Sequence, residues 1–300
     1  MKKLFVAFIF LATFLFANDK VIVDGNIAIL KQMDEKIYAG TDTGKLFSIS
    51  GSDENATLVL ALPQVKSYVD GDIDSKVIDV DKLGEKFALL INGDYMHKKL
   101  AVYENGTLDT FDLPITGIKR LFLLDSNTII LLGVGSEILY YDIASKSVKF
   151  EHKISDSPFG GVSFDREKNL LLLSNEGGMI YFFDTKEKKF LREKSIHKDN
   201  VFNVAFVGER VITGSNDKTC YYENARESKL FETGFIVYSV ALSEDFGAFT
   251  TLDGINIINK AGSIIKKIPY DGEIINNMTF YGDHLVGAGY DKTIHFWSYK

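Results

Sequence analysis

At 300 residues, with 46% apolar and 13% aromatic side chains, the chain can bury a large core and is not a disordered polymer. Its 41 acidic and 34 basic residues leave a formal charge of −7, which argues against nucleic acid as a partner, since phosphate backbones demand basic patches. One cysteine, Cys220, excludes an intramolecular disulfide, while four prolines against 25 glycines suit many short strands joined by tight turns.

The chain opens with Lys2-Lys3, an almost purely apolar run over residues 4–16, and a small residue, Ala17, before polar Asn18-Asp19-Lys20. This is the layout of a secretory signal over residues 1–17, cleaved near Ala17, and it predicts a periplasmic protein. A spanning helix needs about twenty apolar residues, so no stable membrane insertion is expected. Loss of Lys2 and Lys3 moves the charge from −7 to −9. Residues 18–300 are expected to form a single domain.

A short β-prone stretch follows at residues 20–25, "KVIVDG". Beyond it the sequence repeats. Aligned third-strand centres fall at Ser48, Val102, Tyr140, Phe182, Tyr222, Ile257 and Phe296. Their separations of 54, 38, 42, 40, 35 and 39 residues are, apart from the first, close to the period of a four-stranded propeller blade. Before each centre lies a strand ending in small residues, such as "TIILLG" (128–133) or "RVITG" (210–214), and before that an alternating strand, such as "VFNVAF" (201–206). Seven such units predict an all-β, seven-bladed β-propeller. The seventh has three strands and no fourth. Pairing of residues 20–25 outside residues 293–299 would complete the last blade, close the ring and remove an exposed sheet edge.

The long first interval holds an insertion within residues 51–76, expected as a surface loop. Asp70, Asp72 and Asp74 alternate in it and are candidate Ca²⁺ ligands, because spaced carboxylates can wrap a hard cation. Ser75 stands where such a loop needs its turn glycine; the competing reading is a solvated acidic loop of Asx-turns. No other cofactor is expected. Aspartates 42, 94, 217, 253 and 291 recur in the turns between second and third strands, where the side chain stabilises the turn. Aligning first strands on Val204 places Lys119, Gly160, Phe202, Tyr238 and Asn276 at equivalent positions near the strand entrance, with Tyr290 in an adjacent turn. Lys119, Phe202, Tyr238, Asn276 and Tyr290 are therefore the candidate partner-binding residues, since interfaces favour aromatic anchors. No nucleophile elbow, phosphate loop or haem-attachment motif occurs.

"GSNDKTCYYE" (214–223) and "GYDKTIHFW" (289–297) resemble the turn and third strand of WD40 repeats, with Trp297 in the tryptophan position and His197 in the histidine slot. Tyr103, Tyr141 and Phe183 stand where other units would carry tryptophan, so most of the polar network of strong WD repeats is expected to be absent. The resemblance implies a non-catalytic scaffold for protein–protein interaction. In whole-chain plan the sequence also resembles the NapL-type accessory propellers of bacterial periplasmic nitrate reductases. That implies a monomeric helper of reductase maturation or electron delivery, whose partners are reductase subunits. The alternative is a propeller hydrolase or lactonase with a metal in the central channel.

Overall fold

The computed structural model describes residues 19–51 and 55–299; the expected signal, residues 1–17, lies outside them. Among the described residues, seven four-stranded antiparallel sheets follow one another along the chain. Blade 1 comprises β2 (Ile27–Met33), β3 (Lys36–Thr41), β4 (Lys45–Ile49) and β5 (Thr57–Ala61). Blade 2 comprises β8 (Val77–Leu83), β9 (Lys86–Asn92), β10 (Lys98–Glu104) and β11 (Thr107–Asp112). Blades 3 to 6 begin at β12 (Ile118–Leu123), β16 (Phe159–Asp165), β20 (Val201–Val207) and β24 (Val240–Leu242), and each repeats the same meander.

Blade 7 is built from both ends of the chain. Its strands β28 (Asn277–Tyr281), β29 (His284–Ala288) and β30 (Thr293–Ser298) are completed by β1 (Asp19–Ile22), which pairs antiparallel with β30. The Val23 and Ile27 amides then donate to the carbonyls of Lys292 (3.0 Å) and Asp291 (2.8 Å), guiding the chain into blade 1.

Middle strands read as continuous apolar runs because both faces of each sheet are buried. On β17 (Leu170–Asn175), Leu171 and Leu173 pack toward blade 3 while Leu172 packs toward blade 5. Seven apolar clusters result, one per blade junction; the one between blades 7 and 1 joins Val21, Val23, Ile294 and Phe296 to Ile27, Ile37 and Phe47. Outer strands are solvated, as in β19 (Lys189–Ser195). Cys220 is wholly buried between blades 5 and 6, and burial pushes its thiol well up, consistent with a small core residue.

The first strand of each blade has a sheet edge facing the channel, and several of these edges are met by a side chain from the preceding blade. The amides of Leu121 and Leu123 donate to Asp79 (2.8 Å) and Asp81 (2.7 Å). Val240 donates to Asn203 (3.3 Å), Phe206 to Ser163 (3.4 Å), and Leu30 to Asn277 (3.4 Å).

The insertion after blade 1 departs from the expected loop. It folds into a hairpin of β6 (Val65–Ser67) and β7 (Gly71–Ile73) with Tyr68 and Val69 at its tip. The hairpin rests on the turn of blade 2: the Lys66 amide donates to Asp94 (2.9 Å), and the Tyr68 and Tyr95 rings meet at 4.4 Å. No helix among the described residues is long and apolar enough to cross a membrane.

Candidate functional site

Antiparallel meanders place two sets of connections on one face of the ring: the links from each blade to the next, and the turns between second and third strands. On this front face Asp42 and Asp217 join the two sets, while Asp291 stabilises its own turn. Asp42 accepts the Asn26 amide (2.8 Å), Asp217 accepts the Lys198 amide (2.9 Å), and Asp291 accepts the Thr293 amide of its own turn (3.0 Å). Their role is structural, as the turn chemistry suggests.

At the front end of the first strands the pairing register slips by a residue or more in blades 1 to 5, between Ile27 and Ile29, Val77 and Asp79, Ile118 and Arg120, Phe159 and Val162, and Val201 and Asn203. A bulge of this kind re-aims the unpaired residue. The bulge residues include Lys119, Gly160 and Phe202; Tyr238 and Asn276 follow the buried Val237 and Ile275 at the same level of blades 6 and 7. The sequence alignment of these positions thus falls on one structural level, at the mouth of the channel.

Of the five candidates, Phe202 and Tyr238 come together, their half-buried rings stacked at 5.6 Å and 27°, with Phe235 against Tyr238 at 6.3 Å. Beside them lies a cavity of about 280 Å³ lined by Tyr238, Leu252, Tyr270, Glu273 and Ile274 among others. Burial, then the carboxylates of Asp291, Glu273 and Asp271, push the Tyr270 hydroxyl up to about 12. Asn276 accepts a bond from the Asn277 side chain, and its own amide nitrogen is buried with no partner among the described residues. Tyr290 projects from the blade 7 turn, 68% exposed. Lys119 is exposed on blade 3, apart from the aromatic group.

The front face also collects the exposed apolar side chains carried by turns and connections: Tyr68, Val69, Tyr95, Met96, Val134, Leu252, Ile274 and Tyr290. At the turns of the opposite face only Leu83 is comparably exposed among the described residues; the remaining exposed large apolar side chains, such as Leu191 and Ile264, sit on outer strands.

Two polar constellations lie deeper. On the channel wall, Asp79 and Asp81 of β8 are almost wholly buried. Lys31 of blade 1 pairs with Asp79 at 2.6 Å, and its ammonium lies 4.9 Å from the centre of the Phe122 ring. Arg166 of blade 4 reaches Asp81 and also donates to the Leu123 carbonyl (3.2 Å). Burial pushes the Asp81 carboxyl above its usual range, against the pull of Arg166 and Lys31. The signal for these two aspartates in the sequence is a pair of carboxylates inside the apolar alternation of "VIDVDKL".

In blade 5, His197 Nε2 meets Thr213 Oγ1 at 2.7 Å, and Nδ1 meets Thr219 Oγ1 (2.9 Å) and Asp217 Oδ2 (3.1 Å). The histidine-to-aspartate network therefore exists in this blade. In blade 7, Trp297 is buried against Gly287 and its indole N–H has no partner among the described residues, so it serves packing alone.

Asp70, Asp72 and Asp74 lie exposed on or beside the hairpin; Asp72 pairs with Lys66 (3.2 Å) and Asp74 accepts from Gln64 (3.1 Å). Among the described residues, no group of three His, Cys, Asp or Glu side chains is disposed to hold a metal ion.

This architecture is a seven-bladed β-propeller. No protein-family model matches the chain, and no curated protein matches its sequence. Solved structures do: the β-propeller domain of Cps50 (Swd1) from Myceliophteria thermophila superposes with a TM-score of 0.70 at 11% identity, covering 93% of this chain and 98% of that one. At that identity the likeness defines the fold, and propellers host many functions.

Proposed function

We propose that this protein is a non-catalytic platform that binds another protein on its front face. The observation that carries this reading is the segregation of exposed apolar turn residues to one face, where Tyr68, Tyr95, Leu252, Ile274 and Tyr290 stand on a rigid ring. Exposed apolar groups gathered on a folded scaffold mark interaction surfaces, and loops held by such a scaffold are the usual contact points. The carboxylates of the channel wall, Asp79 and Asp81, are committed to Lys31, Arg166 and backbone amides, which favours a structural role for them.

The export layout of residues 1–17 supports a periplasmic setting for a monomeric platform. The whole-chain plan, a signal followed by seven degenerate units, supports a partner drawn from the periplasmic nitrate reductase system, served in maturation or electron delivery. Affinity capture from the periplasm tests both levels. Recovery of reductase subunits by the mature protein, and their loss with Phe202→Ser/Tyr238→Ser/Tyr290→Ser, is the expected result. Consistent absence of those subunits would overturn the reductase assignment, and capture indifferent to the triple substitution would overturn the front face as the contact surface.

A further inference from the structure

Three lysines converge on the blade 2–3 sector of the channel mouth. Lys98 begins β10 and lies directly opposite Asn92 at the end of β9; the Asn92 amide donates to the Lys76 carbonyl at 3.1 Å. Lys119 is the bulge residue of the adjoining first strand. The Lys98 ammonium donates to the Asn92 side-chain oxygen at 2.6 Å, and that neutral amide is the one side-chain acceptor it has among the described residues. Its side chain is half-buried, and burial, then the charges of Lys119 and Lys76, hold its pKa below the ordinary value. The carboxylates that line the same hollow as Lys98 are occupied: Asp94 and Asp112 each face Lys99 at 3.5 Å, and Asp94 also accepts the Lys66 amide. In a net-acidic chain, three like charges gathered with no carboxylate partner among the described residues raise one another's cost, and an arriving anion would relieve it.

Beside the lysines stand the exposed side chains of Tyr68, Val69, Tyr95 and Met96, held there by the seating of the hairpin on the blade 2 turn. A free oxyanion has no use for such a flank. A peptide carrying both carboxylates and apolar side chains uses the two together.

We propose that this sector receives an acidic segment of a partner protein, with its carboxylates on Lys76, Lys98 and Lys119 and its apolar side chains on the Tyr68–Tyr95 pair. The inference rests on the platform reading and fixes the chemistry of what the platform holds.

The test uses the mature protein and a fluorescein-labelled peptide of alternating glutamate and leucine, read by anisotropy at low ionic strength, with a lysine–leucine peptide and inorganic phosphate as comparison probes. The acidic peptide is expected to bind, the basic one not. Lys98→Met/Lys119→Met, which keeps the aliphatic stems, should weaken binding by about tenfold or more, the scale of lost charge-assisted bonds. Tyr68→Ser/Val69→Ser should weaken it as well, whereas Lys186→Met/Lys189→Met, on an outer turn, should leave it unchanged. Equal binding by the wild type and the Lys98→Met/Lys119→Met variant would overturn the proposal. So would phosphate binding to wild type without peptide binding, which would mark a free-oxyanion site. Should capture of the periplasmic partner survive Lys98→Met/Lys119→Met but fail with the aromatic triple variant, the acidic segment is refuted while the platform stands.

Discussion

Val21, near the start of the described chain, lies directly opposite Ile294, near its end, and both are buried in one cluster with Ile27 and Phe47 of blade 1. The ring is thus closed by a non-covalent latch, whose apolar contacts reach into the next blade as well as its own. Val21→Ala/Val23→Ala should cost about 2 kcal/mol per site from lost burial and residual cavity. Deleting residues 20–25 should lower the melting temperature further, because β30 then presents an open edge. An unchanged melting temperature in the deletion would show that the latch contributes nothing.

Arg166 connects blade 4 to Asp81 on blade 2, spanning blade 3, which also donates the Leu123 amide to the same carboxylate. Arg166→Met removes the guanidinium from a buried carboxylate and should destabilise by about 3 kcal/mol at neutral pH. The sign of the pH dependence follows from Asp81. Its folded pKa is raised by burial and would rise further without Arg166. The folded state then binds the proton more tightly than the unfolded one, so stability falls as pH climbs from the unfolded value, near 3.8, through the folded one. The penalty for Arg166→Met should accordingly be larger at about pH 8 than at about pH 5. Urea titrations at the two pH values decide it, and a penalty independent of pH would place its origin in packing.

Much of this was readable from the chain because it depends on local pattern. The seven centres from Ser48 to Phe296 all lie on third strands, since apolar runs ending in small residues mark buried middle strands wherever they occur. The closing strand was legible through an edge argument: a terminal strand such as residues 293–298 demands a partner, and residues 19–22 are that partner. What escaped depends on contacts between blades. Lys31 and Arg166 lie 48 and 85 residues from their aspartates, a separation that no periodicity encodes. The hairpin escaped because strands of three residues, "VKS" and "GDI", are too short to show alternation. The lysine group escaped for a similar reason: Lys76, Lys98 and Lys119 belong to three different elements that meet only when blades 2 and 3 pack.

Gly160 should resist substitution. A Cβ there would be driven into the Val201 carbonyl of blade 5, a backbone atom that cannot swing aside. Gly160→Ala should therefore separate the first strands of blades 4 and 5 at the mouth and cost about 1–3 kcal/mol, the range for overpacking. Gly208→Ala is a useful contrast: nothing lies within 4 Å of its would-be Cβ, and its cost comes from the left-handed backbone, φ 68°, alone. Melting curves of the two variants, combined with anisotropy of the acidic peptide, would separate a shifted mouth from a strained turn.

The acidic hairpin offers a metal test of its own. Asp72 and Asp74 already face Lys66 and Gln64, and Ser75 is buried with its hydroxyl committed to the Asn92 carbonyl. Bringing Asp70, Asp72 and Asp74 around one cation would require breaking the Lys66 pair and the Gln64 bond, with only Asp72 lying within β7. Calorimetric titration of Ca²⁺ is expected to give no binding heat, and the melting temperature to be unmoved by the ion or by chelator. A saturable heat abolished by Asp72→Asn would restore the calcium reading.

His197 is expected to give the protein a pH response near neutrality. Burial holds its imidazole below the ordinary value of 6.5, against the opposing pull of Asp217. Burial, then the charge of Lys20, does the same to His295. A histidine whose folded pKa is depressed resists protonation in the folded state. Its stabilising contribution is complete above the unfolded value and is lost as pH falls through and below 6.5. The urea midpoint should therefore drop between about pH 7.5 and about pH 5.5. His197→Gln should cost about 1–3 kcal/mol at the higher pH by breaking the buried bonds to Thr213 and Thr219, and should flatten the response. His295→Gln should flatten it separately, because the two rings lie in different blades and share no partner. A wild-type midpoint that holds steady across this interval would mean that neither imidazole is kept neutral by its surroundings.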